Sequence, residues 1–287
     1  MAVAVPPPDN PMSGVRGAEP PGGEVQERQR LSWPPEASPL SGYLLLALLL
    51  LAWEATARYG VVRADLLPPA SAVLGELWRL AVSGELWRQG GATLGRALAG
   101  FVAGGATGAA LGFACGAFPG FGRACRVTVE FLRPMPSVAL IPIGILFLGL
   151  GFGLCVAVAG FACAWPAYVA ALAGAGAAGQ GLCDTARVYG LTSREILFHV
   201  RLPAATPQVL SGLRVALGVA VAVTVTTEMA AAPNGLGSFI LESSLARRPE
   251  GMYAGIVAVG LLGFGLNASF AALRDRVLRW MPRGGRR

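Results

Sequence analysis

Glu228 closes a long apolar stretch, directly after Thr224, Thr226 and Thr227. A carboxylate in such surroundings must meet a partner or water, because an isolated buried charge is strongly disfavoured. Two uses follow. As part of a gate, Glu228 would control entry to a path, with Thr224 and Thr227, three apart, turning one helical face towards it. As a structural group, it would mark the water boundary or brace the turn Asn234-Gly235-Leu236-Gly237. Arg214, earlier in the same stretch, can snorkel to an interface or hold an anionic solute. Glu130 and Arg133 have the spacing of an intrahelical ion pair, a structural contact.

Other reactive residue types are not assembled into sites. His199 is the single histidine, and one histidine in a loop makes neither a metal centre nor a base–nucleophile pair. Cys115, Cys125, Cys155, Cys163 and Cys183 lack metal-type spacing and fall in or beside apolar segments, as packing residues do. No G-x-x-x-x-G-K-[ST] phosphate loop occurs. No catalytic activity, metal or cofactor is expected of this chain.

The elements holding these residues are set by composition. The chain has 287 residues, 54% hydrophobic and only 14% charged. A soluble domain would carry about 25% charged residues, so much of this surface faces something other than water. The apolar residues fall in long blocks, the pattern of an all-α polytopic membrane bundle. All 23 basic residues are arginine and the formal charge is +7. They flank the apolar blocks instead of lining one soluble face, which favours membrane topology over nucleic-acid binding.

Residues 1–40, rich in Pro, Gly, Glu and Arg, read as a disordered tail, followed by a transmembrane domain over 41–287 with its core at 70–275. Six spans are expected. The first runs from Tyr43 to about Ala57, with seven leucines between Leu44 and Leu51, each contributing about −0.5 kcal/mol to insertion. A cleaved signal peptide ending near Ala55-Thr56-Ala57 is the rival, set aside because the preceding polar stretch is too long for a normal n-region. The pentapeptide Gly-Glu-Leu-Trp-Arg then occurs twice, at 75–79 and 84–88, and fits short interfacial helices. Span two, about 91–117, carries Gly100, Gly104, Gly108, Gly112 and Gly116, a smooth strip for a neighbouring helix. Span three, within 124–149, must break or kink at Pro134, Pro136 and Pro142. Spans four, five and six end near 174, cover about 208–230 and cover about 252–273. With the N-terminus inside, fifteen arginines fall on the inner side and six on the outer, so both termini are expected in the cytoplasm.

That orientation puts the 175–207 connection in the cytoplasm. It contains Asp184-Thr185-Ala186-Arg187-Val188-Tyr189-Gly190, then nine residues, then Val200-Arg201-Leu202-Pro203. Asp184 can cap a short helix, Gly190 permits a bend, Leu191–Val200 suffices for a second short helix, and Pro203 suits the start of the next.

The segment resembles the "EAA" loop of ABC importer permeases, E-A-A, three residues, G, nine residues, I-x-L-P. Ala186, Gly190, Leu202 and Pro203 match in register, while Asp184, Thr185 and Val200 replace Glu, Ala and Ile. Leu67 to Val73 (LPPASAV), Arg133 to Pro142 (RPMPSVALIP) and Glu228 to Gly237 (EMAAAPNGLG) are similar to the nitrate/sulfonate/taurine branch, and the resemblance covers about residues 65–280. It implies the type I importer (MetI-like) permease fold in a bacterial inner membrane. It further implies a coupling loop at 180–204, with Asp184, Thr185, Ala186, Gly190, Leu191, Val200, Leu202 and Pro203 as coupling residues. The implied partners are a second permease copy, a cytoplasmic ABC ATPase dimer and an external substrate-binding protein, and the implied cargo is a small solute such as a small anion. Glu228, Thr224, Thr227 and Arg214 are then candidates for the path or its gate. The competing class, an ion- or proton-coupled secondary transporter, would need an ion site inside the bundle, and few ionisable residues lie in the spans.

Overall fold

In a computed structural model describing residues 39–60, 62–63 and 66–280, the chain is helical, with no strand among those residues. It divides into two units, Met1–Leu51 and Ala52–Arg287. The expected tail lies almost wholly outside the described residues. Helix α1 (Pro39–Arg58) begins in the first unit and ends in the second. Its 20 residues make about 30 Å of helix, the thickness of a bilayer's hydrocarbon core.

In the second unit α2 (Ala70–Val82) is followed by α3 (Glu85–Ala117) across Ser83-Gly84. Gly84 turns the chain with a φ of +81°, a conformation glycine adopts without steric penalty. The two pentapeptides therefore part company. The first lies in α2, while the second supplies the opening turn of α3, so span two starts at Glu85 instead of near 91. Trp78 and Trp87 are both exposed.

α3 packs chiefly on α6 (Phe152–Ala175) along its glycine strip. A Cβ on Gly104 would stand 2.0 Å from the Gly160 carbonyl oxygen, and one on Gly108 2.1 Å from that of Ala164. The two backbones touch, so neither position admits a side chain without separating the helices. α6 also packs on α9 (Leu202–Ala231), and α3, α6 and α9 form the centre of the bundle.

The proline-rich third span is broken. α4 (Pro119–Leu132) ends before Arg133-Pro134, and a 3₁₀ turn (Ser137–Leu140) leads into α5 (Ile141–Leu148) after an 84° change of direction. Glu130 pairs with Arg126, Nε to Oε1 at 2.8 Å, and not with Arg133. Arg126 lies one turn back on the same face, whereas Arg133 caps the helix where the prolines stop it.

α7 (Gly179–Val188) and the single turn α8 (Ser193–Glu195) form the connection to α9; α10 (Leu236–Leu245) and α11 (Pro249–Val277) complete the unit. Among the described residues four helices are long and apolar enough to cross a membrane, or five if the bent pair counts as one span. The expected sixth would be α1.

Candidate functional site

The connection between α6 and α9 is a compact helical elbow. α7 ends in a Schellman closure: Leu191 N–H donates to Ala186 O at 3.1 Å and Gly190 N–H to Arg187 O at 2.9 Å. This closure places Gly190 at φ +84°, the left-handed position glycine favours. Two residues later a capping box starts the next helix. Thr192 Oγ1 accepts from Glu195 N–H at 3.3 Å, and Glu195 Oε2 accepts from Thr192 N–H at 2.7 Å, satisfying two donors reciprocally.

No separate helix begins at Pro203. Ser193–Ala231 is one helical run of 39 residues, with a π-helical turn at Ile196–Arg201. Pro203 offers no N–H to the His199 carbonyl, and its ring would clash there; widening the preceding turn relieves that conflict without ending the helix. Arg201 Nη1 donates to Ala117 O, the last carbonyl of α3, at 3.4 Å. The elbow is thus continuous with span five and tied to the end of span two.

The sequence-derived coupling residues divide by position. Ala186 is buried with Cys183 and Ile196, and Leu191 and Val200 pack against that cluster. These three hold the elbow together. Asp184, Thr185 and Gly190 are exposed, with Asp184 bonded to Arg187. Leu202 is partly exposed and Pro203 half-buried. Sequence reasoning missed Val188 and Tyr189, 88% and 81% exposed at the tip. Their signal was two large side chains at the end of a short helix, just before its glycine.

At the other end of α9, Glu228 is 1% exposed and Arg96, from α3, is 5% exposed. Arg96 Nη1 donates to Glu228 Oε1 at 2.7 Å and to Asn234 O at 2.6 Å, and Nη2 bonds Asn234 Oδ1. The second carboxylate oxygen accepts from Thr93 Oγ1 at 2.8 Å and Gly237 N–H at 3.1 Å. Thr93 Oγ1 accepts from Leu236 N–H at 2.8 Å, and Gln89 Oε1 from Gly235 N–H at 2.6 Å. One face of α3 therefore clamps the 234–237 turn onto span five. Gly235, at φ +118°, has no room for a side chain: a Cβ would lie 2.3 Å from Glu228 Cδ.

Thr224 and Thr227 are fully buried within the protomer, and Thr227 Oγ1 donates to Val223 O at 2.8 Å. The expectation that they face an opening is not met in this conformation, because the face they share with Glu228 is the one α9 packs inward. Sequence reasoning missed Arg96, which lies within span two. The clue to its role was the coexistence of one arginine and one glutamate inside different spans, which a membrane interior would drive together.

Arg214 is placed differently. It is exposed, and its Nε donates to Asn267 Oδ1 of α11 at 2.8 Å. Among the described residues no carboxylate forms an ion pair with it. The two residues border a cavity of about 250 Å³ between α9 and α11, lined also by Leu217, Gly218, Val221 and Gly263. His199 Nδ1 lies 3.2 Å from its own helix's Glu195 O, and the described residues contain no cluster suited to a metal ion.

Comparison with known proteins agrees with this architecture. Residues 106–281 match the family described as "Binding-protein-dependent transport system inner membrane component". The chain is 28% identical over 258 residues to the taurine transport system permease protein TauC of Escherichia coli (strain K12), covering 88% of this chain and 94% of that one. It is 30% identical over 230 residues to the protein of the same strain named "Putative aliphatic sulfonates transport permease protein SsuC", covering 80% of this chain and 88% of that one. The fold is shared with an inward-facing structure of the MetNI methionine ABC transporter: TM-score 0.57, 19% identity, 67% of this chain and 94% of that chain covered.

Proposed function

The chain belongs to the inner-membrane components of binding-protein-dependent transport systems, and on that premise we propose how it couples ATP to solute movement. As the multi-pass permease of an ABC importer it works in a family where a separate subunit hydrolyses ATP and a binding protein delivers the solute. In our reading two copies pair in the bacterial inner membrane with both termini in the cytoplasm. Residues 41–287 form the permease domain, with α1 as the sixth span, and residues 1–40 form a cytoplasmic tail.

The observation that carries the mechanism is the continuity of elbow and span. The ATPase docks on the elbow through Val188, Tyr189, Asp184 and Thr185, while Ala186, Leu191 and Val200 keep it rigid. Closure of the ATPases on ATP moves the elbow. Because Ser193–Ala231 is one helical run, the motion reaches span five without passing through a flexible loop, and the protomer alternates between outward and inward access. Leu202 and Pro203 sit where the π turn meets span five, a place for bending. At the outer end, Glu228 belongs to the gate by holding the 234–237 turn against α3. Thr224 and Thr227 back that gate from inside the protomer. The relatives named for taurine and aliphatic sulfonates support a small organosulfonate as cargo.

The test is uptake by the reconstituted complex. Transport that needs ATP and the binding protein, and survives an uncoupler, is the expected result. Uptake abolished by an uncoupler while ATP is maintained would overturn the reading in favour of a secondary transporter. For the gate, Glu228→Gln reconstituted in an amount matched to wild type should give lower uptake per permease, and equal uptake per permease would remove Glu228 from it.

A further inference from the structure

We propose that Arg214 and Asn267 form a binding site for a sulfonate-type oxoanion in the cleft between α9 and α11. The inference rests on the permease reading above and names a solute-binding site within it.

Arg214 lies six residues into the expected span 208–230, about 9 Å along the helix, and is exposed at the protein surface. A guanidinium at that depth facing lipid would be strongly disfavoured, so the cleft must offer it water, protein or an anion. Protein supplies one neutral acceptor, the Asn267 amide oxygen at 2.8 Å. That bond uses Nε. Among the described residues the terminal nitrogens Nη1 and Nη2 have no hydrogen-bond partner, unlike those of Arg96, and they carry the parallel donors that match two oxygens of one oxoanion. With Oδ1 committed to Arg214, Asn267 presents only its amide N–H donors. Every polar group the pair turns outward therefore suits an acceptor-rich, negatively charged ligand.

The space is present as well. A Cβ on Gly218 or Gly263 would meet nothing within 4 Å, and the cavity of about 250 Å³ equals roughly eight waters at ~30 Å³ each. Leu217 and Val221 give the remaining wall an apolar character, fitting a short alkyl group attached to the anionic head. The cleft also joins the helix driven by the elbow to the last span. A change in their separation would alter the grip on the anion, as release into the cytoplasm requires.

The same chemistry could recognise a phospholipid headgroup, and the test separates the two. Full complexes with ATPase and binding protein, matched for incorporated permease, are assayed in phosphatidylcholine proteoliposomes for uptake of radiolabelled taurine and ethanesulfonate. Arg214→Gln is expected to lower uptake of both about tenfold or more, with Arg214→Lys restoring part of it. Asn267→Ala, which leaves the charge in place, should raise the apparent KM severalfold. Uptake by Arg214→Gln equal to wild type overturns the proposal, and a phospholipid retained by wild type and lost from that variant at unchanged uptake reassigns the cleft to lipid. If the wild-type complex hydrolyses ATP on contact with the binding protein yet imports neither compound, the sulfonate assignment falls while the permease reading stands. A wild-type chain that binds no ATPase takes down both.

Discussion

The two arginines inside spans, Arg96 and Arg214, meet opposite fates. Arg96 is sealed: it is 5% exposed, its charge is matched by Glu228, and its terminal nitrogens are occupied by Glu228 and Asn234. Arg214 meets only a neutral amide and opens onto a cavity. The same side chain at membrane depth is a fastener where the fold supplies a carboxylate and a candidate ligand where it does not. The fastener is at the end of α9 far from the elbow and the open site is nearer the elbow. One helix thus carries both a sealed ion pair and an open guanidinium.

The comparison is broken most severely by unpairing the sealed site. Arg96→Gln or Glu228→Gln leaves a buried charge without its partner, and each should destabilise the protein by about 3–5 kcal/mol. The expected outcome is a steep loss of membrane abundance and of thermal stability in nanodiscs. The double variant should lose less than the sum of the two, which a double-mutant cycle on unfolding midpoints would measure. Next comes Gly235→Ala, which combines a left-handed backbone with a Cβ 2.3 Å from the Glu228 carboxyl. The backbone strain alone is about 1–3 kcal/mol, so the unfolding midpoint should fall by several degrees. A smaller stability effect is expected at the open site: Arg214→Gln should leave abundance close to wild type while uptake falls, the reverse of Arg96→Gln. Equal loss of abundance in both variants would erase the distinction. The smallest effect belongs to Glu130→Gln, whose ion pair with Arg126 is exposed on both sides and should leave the midpoint unchanged within error.

Local patterns in the sequence carried much of this architecture. Glycines four apart required a close neighbouring helix, and α6 supplies it: a Cβ on Gly104, Gly108 or Gly112 would lie 2.0, 2.1 or 2.2 Å from its backbone oxygens. Three prolines required a break, and the chain turns 84° there. Gly190 required a bend and ends α7 in the left-handed conformation. Long-range and cooperative features stayed hidden. Nothing local to Glu228 reveals that its partner is 132 residues earlier, or that Arg214 meets Asn267 across α11. The π turn before Pro203 was equally illegible, because a proline is compatible with a helix start as well as with a widened turn inside a longer run. Only packing of Ile196 against Cys183 and Ala186 and the tether from Arg201 to α3 favour the continuous form. Arg133 lost Glu130 to Arg126 for a related reason, since intrahelical spacing is informative only while the helix continues.

The central claim is that the elbow receives the ATPase and drives span five. Its most direct test is co-purification from gently solubilised native membranes, comparing the tagged wild-type chain with Gly190→Arg at equal abundance. An arginine cannot comfortably adopt the φ of +84° found at Gly190, so the variant should distort the elbow tip while leaving the spans folded. The account predicts that wild type brings down an ABC ATPase and that Gly190→Arg loses it. Intact wild-type complexes without an ATPase, or full retention by the variant, would contradict it.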